Sequence, residues 1–432
     1  MHASRVAKEP SAAAPFDATS PAATLPFEPT LLQPRGLRGR LIGWLVRHPL
    51  WLLAFLRRYR PIVLIGKWAV VTRHDDVAEA LANHHAIAVP FEERIRTLND
   101  GPNFLLGMAD GAEYRWLCAL VTQVFPDGEA DTLIGPLAEQ QAERILQQGR
   151  GRIDAVSGLL TLVPTRICQL HYGLPIEDER AFGQWTIAMS SFMFGNPADD
   201  PGLRQAALPA GAKVRAIVEQ GIHCARAAPE SDTVAARLVR AQSGDPRVTD
   251  EVIRAILIGM VTGFVPTNTM ASGNMLQMLL SRPRWLAQAR AAANAGDDDR
   301  LQRCLFEAMR FLPLNPGPFR VAAQDVELAK GTSRARVIPR GTNLLVSTQS
   351  AMFDPRRVPH PGRFDPDRAA GDYMLMGYGL HRCIGARLAE VQITRTFKPL
   401  LQRAGLRRAR GTAGRMRRLG PFPESLTVEY AA

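Results

Sequence analysis

One short segment near the C-terminus constrains this chain more than any other feature. From Met376 to Arg387 the sequence reads MGYGLHRCIGAR, and an apolar helical pattern begins directly after it and reaches Phe397. A thiol at a helix N-terminus faces exposed amides and the positive end of the helix dipole, which lowers the thiol pKa and favours the thiolate. Glycines permit positive φ and carry no Cβ, so a flat group has room to lie against this backbone. The thiol of this segment is that of Cys383, and its glycines are Gly377, Gly379 and Gly385.

A thiolate in this setting suits the axial position of a heme iron, because it donates electron density that favours cleavage of an O–O bond. Taken singly, the parts have simpler explanations. A lone cysteine is usually a small core residue, and a glycine-rich turn before a helix is often only a turn. Their combination at this spacing favours the heme interpretation.

The segment resembles the heme-binding loop of the cytochromes P-450, whose pattern is an aromatic residue followed by Gly-x-Gly-x-His/Arg-x-Cys-x-Gly. Met376 stands where phenylalanine is usual, whereas the Gly, His and Cys positions match. The resemblance implies a mainly α-helical protein with a smaller β-region, folded around a buried heme b. It also implies that Cys383 is the axial ligand of the iron and that Gly377, Gly379 and Gly385 border the cofactor.

A second motif lies upstream, in an apolar helical pattern that contains Glu307 and Arg310. These residues are three positions apart, so they share one helix face and can form an ion pair. By resemblance, Glu307, Arg310 and Arg363 form a buried charged triad with a structural role. The resemblance further implies that Arg320 and His381 bind the heme propionates through charge-assisted hydrogen bonds.

The helix predicted to follow Thr249, which is expected to end near Leu280, departs from the family pattern. Most members carry Ala/Gly-Gly-x-Asp/Glu-Thr-Thr there, and the acid and first threonine deliver protons during dioxygen activation. Aligned on Gly263, Val265 replaces the acid and Pro266 replaces the alcohol.

Pro266 has no N–H to donate to the helix, so the helix is expected to open at this turn. Either Thr267 or Asn268 then presents a polar group to the heme and is a candidate catalytic residue, or this is only a kinked core helix.

A second departure lies near residue 115, where the family often has a histidine and, four residues later, an arginine, both touching heme propionates. Tyr114 takes the histidine place and Cys118 the arginine place. Tyr114 is therefore a candidate cofactor contact, and Arg115 is the alternative cation. The surface that would bind an electron donor is also expected to carry fewer basic residues than is usual in the family.

Three functions follow from these residues. The first is a P-450 monooxygenase that oxidises a hydrophobic small molecule with electrons from a ferredoxin-type donor. The second is a peroxide-using peroxygenase or fatty-acid hydroperoxide isomerase, because the acid and alcohol are missing. The third is a heme-binding sensor without turnover. The expected substrate-contacting segments are apolar, and they comprise Phe91–Leu106, Met189–Phe194 and Phe264–Thr269.

Composition limits the remaining possibilities. The chain has 432 residues, of which 46% are hydrophobic, so it can bury a large core as a single catalytic domain over residues 36–432. Residues 1–35 are rich in Ala, Pro and Ser and are predicted to be a disordered tail. The formal net charge of +12 comes without runs of basic residues interleaved with aromatics, so we expect no nucleic-acid partner.

Five scattered cysteines without a CxxC motif indicate a reducing compartment, hence a cytoplasmic location. Residues 36–60 are apolar but interrupted by basic residues, so they do not form the unbroken span of about 20 residues that crosses a membrane. They are predicted either to pack as a first helix on the β-region or to rest on a membrane surface.

Overall fold

The fold is built mainly from helices, with shorter β-strands. The computed structural model describes residues 49–196 and 200–431. The predicted tail and the first part of the predicted membrane-contact segment therefore lie outside the described residues. The α-helices within them are α1 Pro49–Tyr59, α2 His74–Ala82, α3 Glu92–Asn99, α4 Ala112–Val124, α5 Gly135–Gln148, α6 Leu162–Leu170, α7 Glu179–Phe194, α8 Pro201–Ala227, α9 Val234–Ala241, α10 Asp250–Leu280, α11 Pro283–Ala295, α12 Asp298–Phe311, α13 Thr348–Ala351 and α14 Ala386–Gln402.

The strands form one mixed sheet and three small ones. The main sheet has the order β1-β2-β8-β5-β3, in which β2 and β8 are parallel and the other neighbours are antiparallel. The small sheets have the orders β4-β12-β9, β10-β11 and β6-β7. The strands are β1 Ile62–Ile65, β2 Trp68–Val71, β3 Ile87–Ala88, β4 Arg152–Asp154, β5 Phe319–Ala322, β6 Val326–Leu328, β7 Arg336–Ile338, β8 Asn343–Val346, β9 Arg407–Arg408, β10 Arg417–Leu419, β11 Phe422–Ser425 and β12 Thr427–Glu429.

Two hydrophobic cores correspond to these two parts. The larger core joins the helices, and the smaller one lies between α2 and the main sheet, around Val71, Val77 and Leu344. The mainly helical fold with a smaller β-region that the sequence predicted is confirmed.

Helix α10 is the central element of the larger core. Thr249 caps it by accepting a hydrogen bond from the Val252 amide, as the sequence predicted, and the helix then packs against α3, α6, α7, α8 and α12. Its length and apolar composition would suit a membrane span, yet 72% of its most apolar stretch is buried inside the protein. Burial on nearly all sides explains why this helix is apolar around its whole circumference.

Pro266 does not interrupt α10, because the helix is continuous from Asp250 to Leu280. The expected opening is therefore not observed. A proline removes one backbone donor at a cost of about 3 kcal/mol. The extensive burial of this helix offsets such a cost, since fully burying one large apolar side chain stabilises the fold by about 1.5–3 kcal/mol.

A buried ion pair connects α12 to the segment that leads into the cysteine loop. Glu307 and Arg310 are both fully buried, and two nitrogens of Arg310 donate to the Glu307 carboxylate over 2.9 and 2.7 Å. Arg310 also donates to the carbonyl oxygens of Pro361, at 2.8 Å, and Arg363, at 3.1 Å. One helix residue thus fixes the path of the chain some fifty residues later.

Arg363 is not the third charged side chain that the sequence predicted. Its side chain is exposed, and only its backbone carbonyl contacts the cluster. The third position belongs to Arg368, which is buried and lies 3.6 Å from Glu307. Tyr373 donates its hydroxyl proton to the same carboxylate over 2.8 Å. The prediction was wrong because the turn after Pro361 directs Arg363 outward and Arg368 inward.

The two arginines provide a matched test. Arg368→Ala leaves Glu307 without one of its buried cations, and breaking such a buried pair costs about 3–5 kcal/mol. Arg363→Ala removes an exposed side chain and should change the free energy of unfolding by less than about 0.5 kcal/mol. Chemical denaturation of the two variants measures the difference, and equal stabilities would show that Arg368 has no structural role.

Candidate active site

A cavity of about 360 Å³ lies between α10 and the loop that carries Cys383. Helices α3 and α7 and strand β5 contribute further walls. The lining is mostly apolar, and among the described residues that line it none is an aspartate or a glutamate. The apolar side chains around the cavity include Phe91, Ile95, Phe104, Leu105, Met193, Phe194, Phe264 and Ala271.

Cys383 lies at the end of a tight turn just before α14. A single 3₁₀ turn, Gly379–His381, precedes it, and the Cys383 amide donates to the Met376 carbonyl over 2.8 Å. The residue is solvent-accessible where it faces the cavity, and protein surrounds it elsewhere.

Burial raises the pKa of the Cys383 thiol, although the hydrogen bond from the Gly385 backbone lowers it. The expected lowering of the thiol pKa is therefore wrong, because desolvation outweighs the hydrogen bond at the helix terminus. Coordination of a metal ion would itself deprotonate the thiol.

The three glycines of the loop play different parts. Gly377 and Gly379 adopt left-handed backbone conformations, with φ of 78° and 71°. A Cβ on Gly379 would lie 2.7 Å from the Leu81 carbonyl oxygen, so this glycine permits close approach to α2 and does not line the cavity. Gly377 and Gly385 do line it, and a Cβ on Gly385 would meet no atom within 4 Å. Gly379, which the sequence analysis expected to border the cofactor, shapes the turn and does not line the cavity.

A buried positive charge lies at one edge of the cavity. Arg320 is only 5% exposed, donates to the Phe319 carbonyl over 2.8 Å, and has no carboxylate partner among the described residues. Burial lowers the pKa of Arg320 to about 10. His381 lies nearby, and burial, together with the charges of Arg320 and His84, lowers its pKa to about 4. An uncompensated buried cation beside a cavity without carboxylates indicates that the ligand itself carries negative charge.

Tyr114 reaches this edge from the first turn of α4. Its hydroxyl donates to the Leu380 carbonyl over 2.9 Å, and its ring packs edge-to-face on His381 with centroids 5.7 Å apart. Arg115, the alternative cation, points away, because its exposed guanidinium pairs with Asp110 at 2.8 Å. The sequence thus placed Tyr114 correctly at the cavity, and the alternative at Arg115 was wrong.

The residues of α10 that line the cavity are not the two that the alignment on Gly263 puts at the acid and alcohol positions. Gly263 and Thr267, one turn apart, line the cavity, whereas Val265 and Pro266 are buried and do not line it. The Thr267 hydroxyl donates back to the Gly263 carbonyl. The alcohol at the cavity is therefore Thr267, one of the two candidates that the sequence analysis named, whereas Pro266 does not line the cavity.

Two further polar residues of α10 border the cavity. Asn268 is buried and donates to the side-chain oxygen of Gln392 over 2.7 Å, which ties α10 to α14. Thr262, which the sequence reasoning missed, is 1% exposed, and its hydroxyl has no hydrogen-bond partner among the described residues. No sequence signal marks Thr262, since a threonine in an apolar helix is ordinarily bonded to the carbonyl four residues earlier.

Only part of each apolar segment expected from the sequence reaches the cavity. Of Met189–Phe194, Met193 and Phe194 line it, whereas Met189 and Phe192 are buried elsewhere in the core. In Phe91–Leu106, the residues that line the cavity are those at the two ends of the segment and those on the inner face of α3.

The donor set fits the heme that the sequence predicted. A thiol faces the cavity, glycines leave open space beside it, and an unpaired guanidinium lies at the edge, where the carboxylates of an anionic cofactor would be neutralised.

Comparison with known proteins points the same way. A model of the cytochrome P-450 family matches residues 223–407. The mycinamicin IV hydroxylase/epoxidase of Micromonospora griseorubida is 27% identical over 354 residues, which cover 80% of this chain and 84% of that protein. The monooxygenase PikC of Streptomyces venezuelae is 32% identical over 257 residues, 59% of this chain and 56% of that protein.

A solved structure has the same fold. The heme domain of a Tepidiphilus thermophilus P-450 superposes with a TM-score of 0.75, covers 90% of this chain and 95% of that one, and is 19% identical.

Arg320 provides a test of the fit. Arg320→Met removes a buried unpaired charge, so the free energy of unfolding of the heme-free protein should rise by about 1–3 kcal/mol. The heme-loaded protein should release its heme about tenfold faster, because a charge-assisted hydrogen bond contributes about 1.5–3 kcal/mol. Denaturation of the heme-free form and transfer of heme to a scavenger protein measure the two effects. Arg115→Met is the control, and unchanged heme release in Arg320→Met would contradict the fit.

Proposed function

The chain belongs to the cytochrome P-450 superfamily, and on that premise we propose that it oxidises an apolar, uncharged small molecule in the cavity between Cys383 and α10. As a member it is a heme-iron monooxygenase that acts on a hydrophobic substrate with a redox partner. The observation that carries the proposal is a cavity that joins a thiol, a buried arginine and mostly apolar walls; among the described residues no carboxylate pairs with the arginine or lines the walls. We assign residues 36–432 to a single catalytic domain.

Heme b is the cofactor that we propose, and when bound it supplies the redox chemistry that activates dioxygen. Cys383 would hold its iron through the thiolate sulfur. Arg320 and His381 would neutralise and position its carboxylates, and Tyr114 holds His381 and the Leu380 carbonyl in place. The apolar side chains of α3 and α7 exclude water and orient the substrate.

Thr267 is the residue that we propose for proton delivery. Its hydroxyl lies at the cavity and donates to the Gly263 carbonyl, which orients it. When it turns from that carbonyl, the hydroxyl can give its own proton to a group in the cavity while it takes one from an adjacent water, which regenerates the alcohol. Asn268 is the less favoured of the two candidates, because its amide is committed to Gln392. With an alcohol at the cavity, the main argument for a peroxide-only enzyme weakens, and none of the comparisons favours a peroxygenase, an isomerase or a sensor.

The substrate class follows from the walls. Phenylalanine, leucine and methionine side chains dominate them, and no carboxylate is available to recognise a cationic substrate. The relative from Micromonospora griseorubida is named a hydroxylase/epoxidase, which supports insertion of oxygen into a C–H bond or an alkene of an apolar molecule. A ferredoxin-type protein is the proposed electron donor, and the cytoplasm the proposed location.

Replacement of Thr267 tests this function. Thr267→Val keeps the shape of the side chain and removes the hydroxyl, so product formation with dioxygen and a ferredoxin system should fall about a hundredfold, the lower range for losing a positioned proton donor. Peroxide-supported product formation should be unchanged. Thr262→Val is the matched variant. If product formation with dioxygen falls in Thr262→Val and not in Thr267→Val, the proton-delivering residue is Thr262.

The absorption spectrum of the heme-loaded protein tests the assignment of Cys383 as the ligand of the iron. The reduced protein with carbon monoxide should absorb far to the red, as thiolate-ligated hemes do. Cys118→Ser should keep this band and Cys383→Ser should lose it. A band retained in Cys383→Ser would refute the assignment.

Contact with a membrane surface is a further part of the proposal, for the described part of residues 36–60. Helix α1 packs on α13 through Arg57, which is buried and donates to the Ser350 carbonyl and hydroxyl at 3.0 and 2.9 Å. Its outer face carries a stripe of exposed aromatic rings at intervals of four residues, with the exposed basic residue Arg58 beside it. The rings are Trp51, Phe55 and Tyr59, which are 62%, 49% and 60% exposed.

Vesicle sedimentation tests this surface. Exposed aromatic rings beside basic residues favour an anionic interface. The triple variant Trp51→Ala, Phe55→Ala and Tyr59→Ala should lose binding to vesicles rich in phosphatidylserine. Val337→Ala removes an exposed apolar side chain of β7 and should retain binding. Equal binding by both variants would contradict a membrane contact through α1.

A further inference from the structure

Two adjacent histidines and an aspartate converge outside the cavity, close to its charged edge. His84 and His85 follow the end of α2, and Asp110 precedes α4. One nitrogen of each ring and one oxygen of the carboxylate all lie within 4.8 Å of one another. Two segments far apart in the chain thus present three potential metal ligands to one point.

The His84 ring is already oriented as in a metal site. Its Nδ1 lies 3.1 Å from the Ala82 carbonyl, an acceptor to which a proton on Nδ1 can be donated, and in that tautomer Nε2 carries the lone pair. Metal-bound histidines commonly donate their second N–H to a backbone carbonyl in this way. Nε2 is buried, has no hydrogen-bond partner among the described residues, and lies 3.7 Å from a carboxylate oxygen of Asp110. A buried lone pair directed at a carboxylate is a site for a cation.

The other two ligands can complete the site. The rings of His84 and His85 lie side by side with centroids 4.1 Å apart, and His85 is exposed, so its ring can rotate. Bonds of about 2.0–2.2 Å to nitrogen and oxygen place ligand atoms about 3.3 Å apart around a tetrahedral ion, so side-chain rotation suffices to close the gap. The second oxygen of Asp110 pairs with Arg115 at 2.8 Å, which orients the carboxylate and also competes for its charge.

We propose that His84, His85 and Asp110 bind a divalent transition-metal ion of the zinc class, with water at the remaining position. Two imidazoles and one carboxylate suit zinc, copper and nickel and disfavour magnesium and calcium. The ion fastens the turn after α2 to the start of α4, whose first turn carries Tyr114. Its role is therefore to fix the edge of the cavity, and it takes no part in the oxidation itself.

Calorimetry with the untagged, heme-loaded protein tests the site. Zinc should bind with one-to-one stoichiometry and raise the melting temperature, while magnesium should do neither. His84→Ala, His85→Ala and Asp110→Asn should each weaken zinc binding by more than about tenfold, the least that losing even an outer partner of a metal site costs. Arg115→Ala should strengthen it, because Asp110 then loses its competing cation.

Two control variants separate this site from incidental binding. His360→Asn replaces a histidine whose φ is 44°, a conformation that asparagine tolerates, and Cys224→Ser removes an exposed thiol. Both should bind zinc as the unaltered protein does. Binding that persists in His84→Ala or Asp110→Asn, that falls in either control, or that is absent from the unaltered protein would overturn the proposal.

Discussion

The position of the thiol depends on one buried carboxylate. Glu307 is fully buried and receives hydrogen bonds from Arg310, from the Asp365 amide and from Tyr373. A buried charge is tolerated only when partners replace the water it has lost. Arg310 is on the same helix, but Asp365 and Tyr373 belong to the chain segment that leads into the cysteine loop. The cluster therefore holds that segment against α12, and this contact positions the cysteine loop that follows.

The opposite wall of the cavity depends on α10. Because this helix is buried on nearly all sides, its rotation about its own axis is set by packing against several neighbours at once. That rotation decides which residues face the thiol. Gly263 and Thr267 face it, while Val265 and Pro266 pack into the core. The hydrogen bond between Asn268 and Gln392 fixes the same rotation from the side of α14.

Local pattern was sufficient to predict some of these features from the sequence. The loop around Cys383, the pairing of Glu307 with Arg310 and the cap at Thr249 each depend on residues within a few positions of one another. The third arginine and the register of α10 depend on tertiary packing, which sequence spacing does not encode. Arg363 and Arg368 lie in two successive turns of one irregular segment, and only the fold distinguishes them. Neighbouring residues on a helix point about 100° apart, so only the packing of α10 shows that Thr267 lines the cavity and Pro266 does not.

The same reasoning explains why the thiol pKa was predicted with the wrong sign. The helix terminus and the Gly385 amide favour a thiolate, but the walls that make the cavity a site for an apolar ligand also remove the water that would stabilise the charge. Arg320 is destabilised by the same desolvation, without a carboxylate to offset it. An anionic cofactor that contains a metal would favour both charges, because it would supply the partners that the buried thiolate and guanidinium otherwise lack. A site built in this way would gain stability from the ligand that it binds.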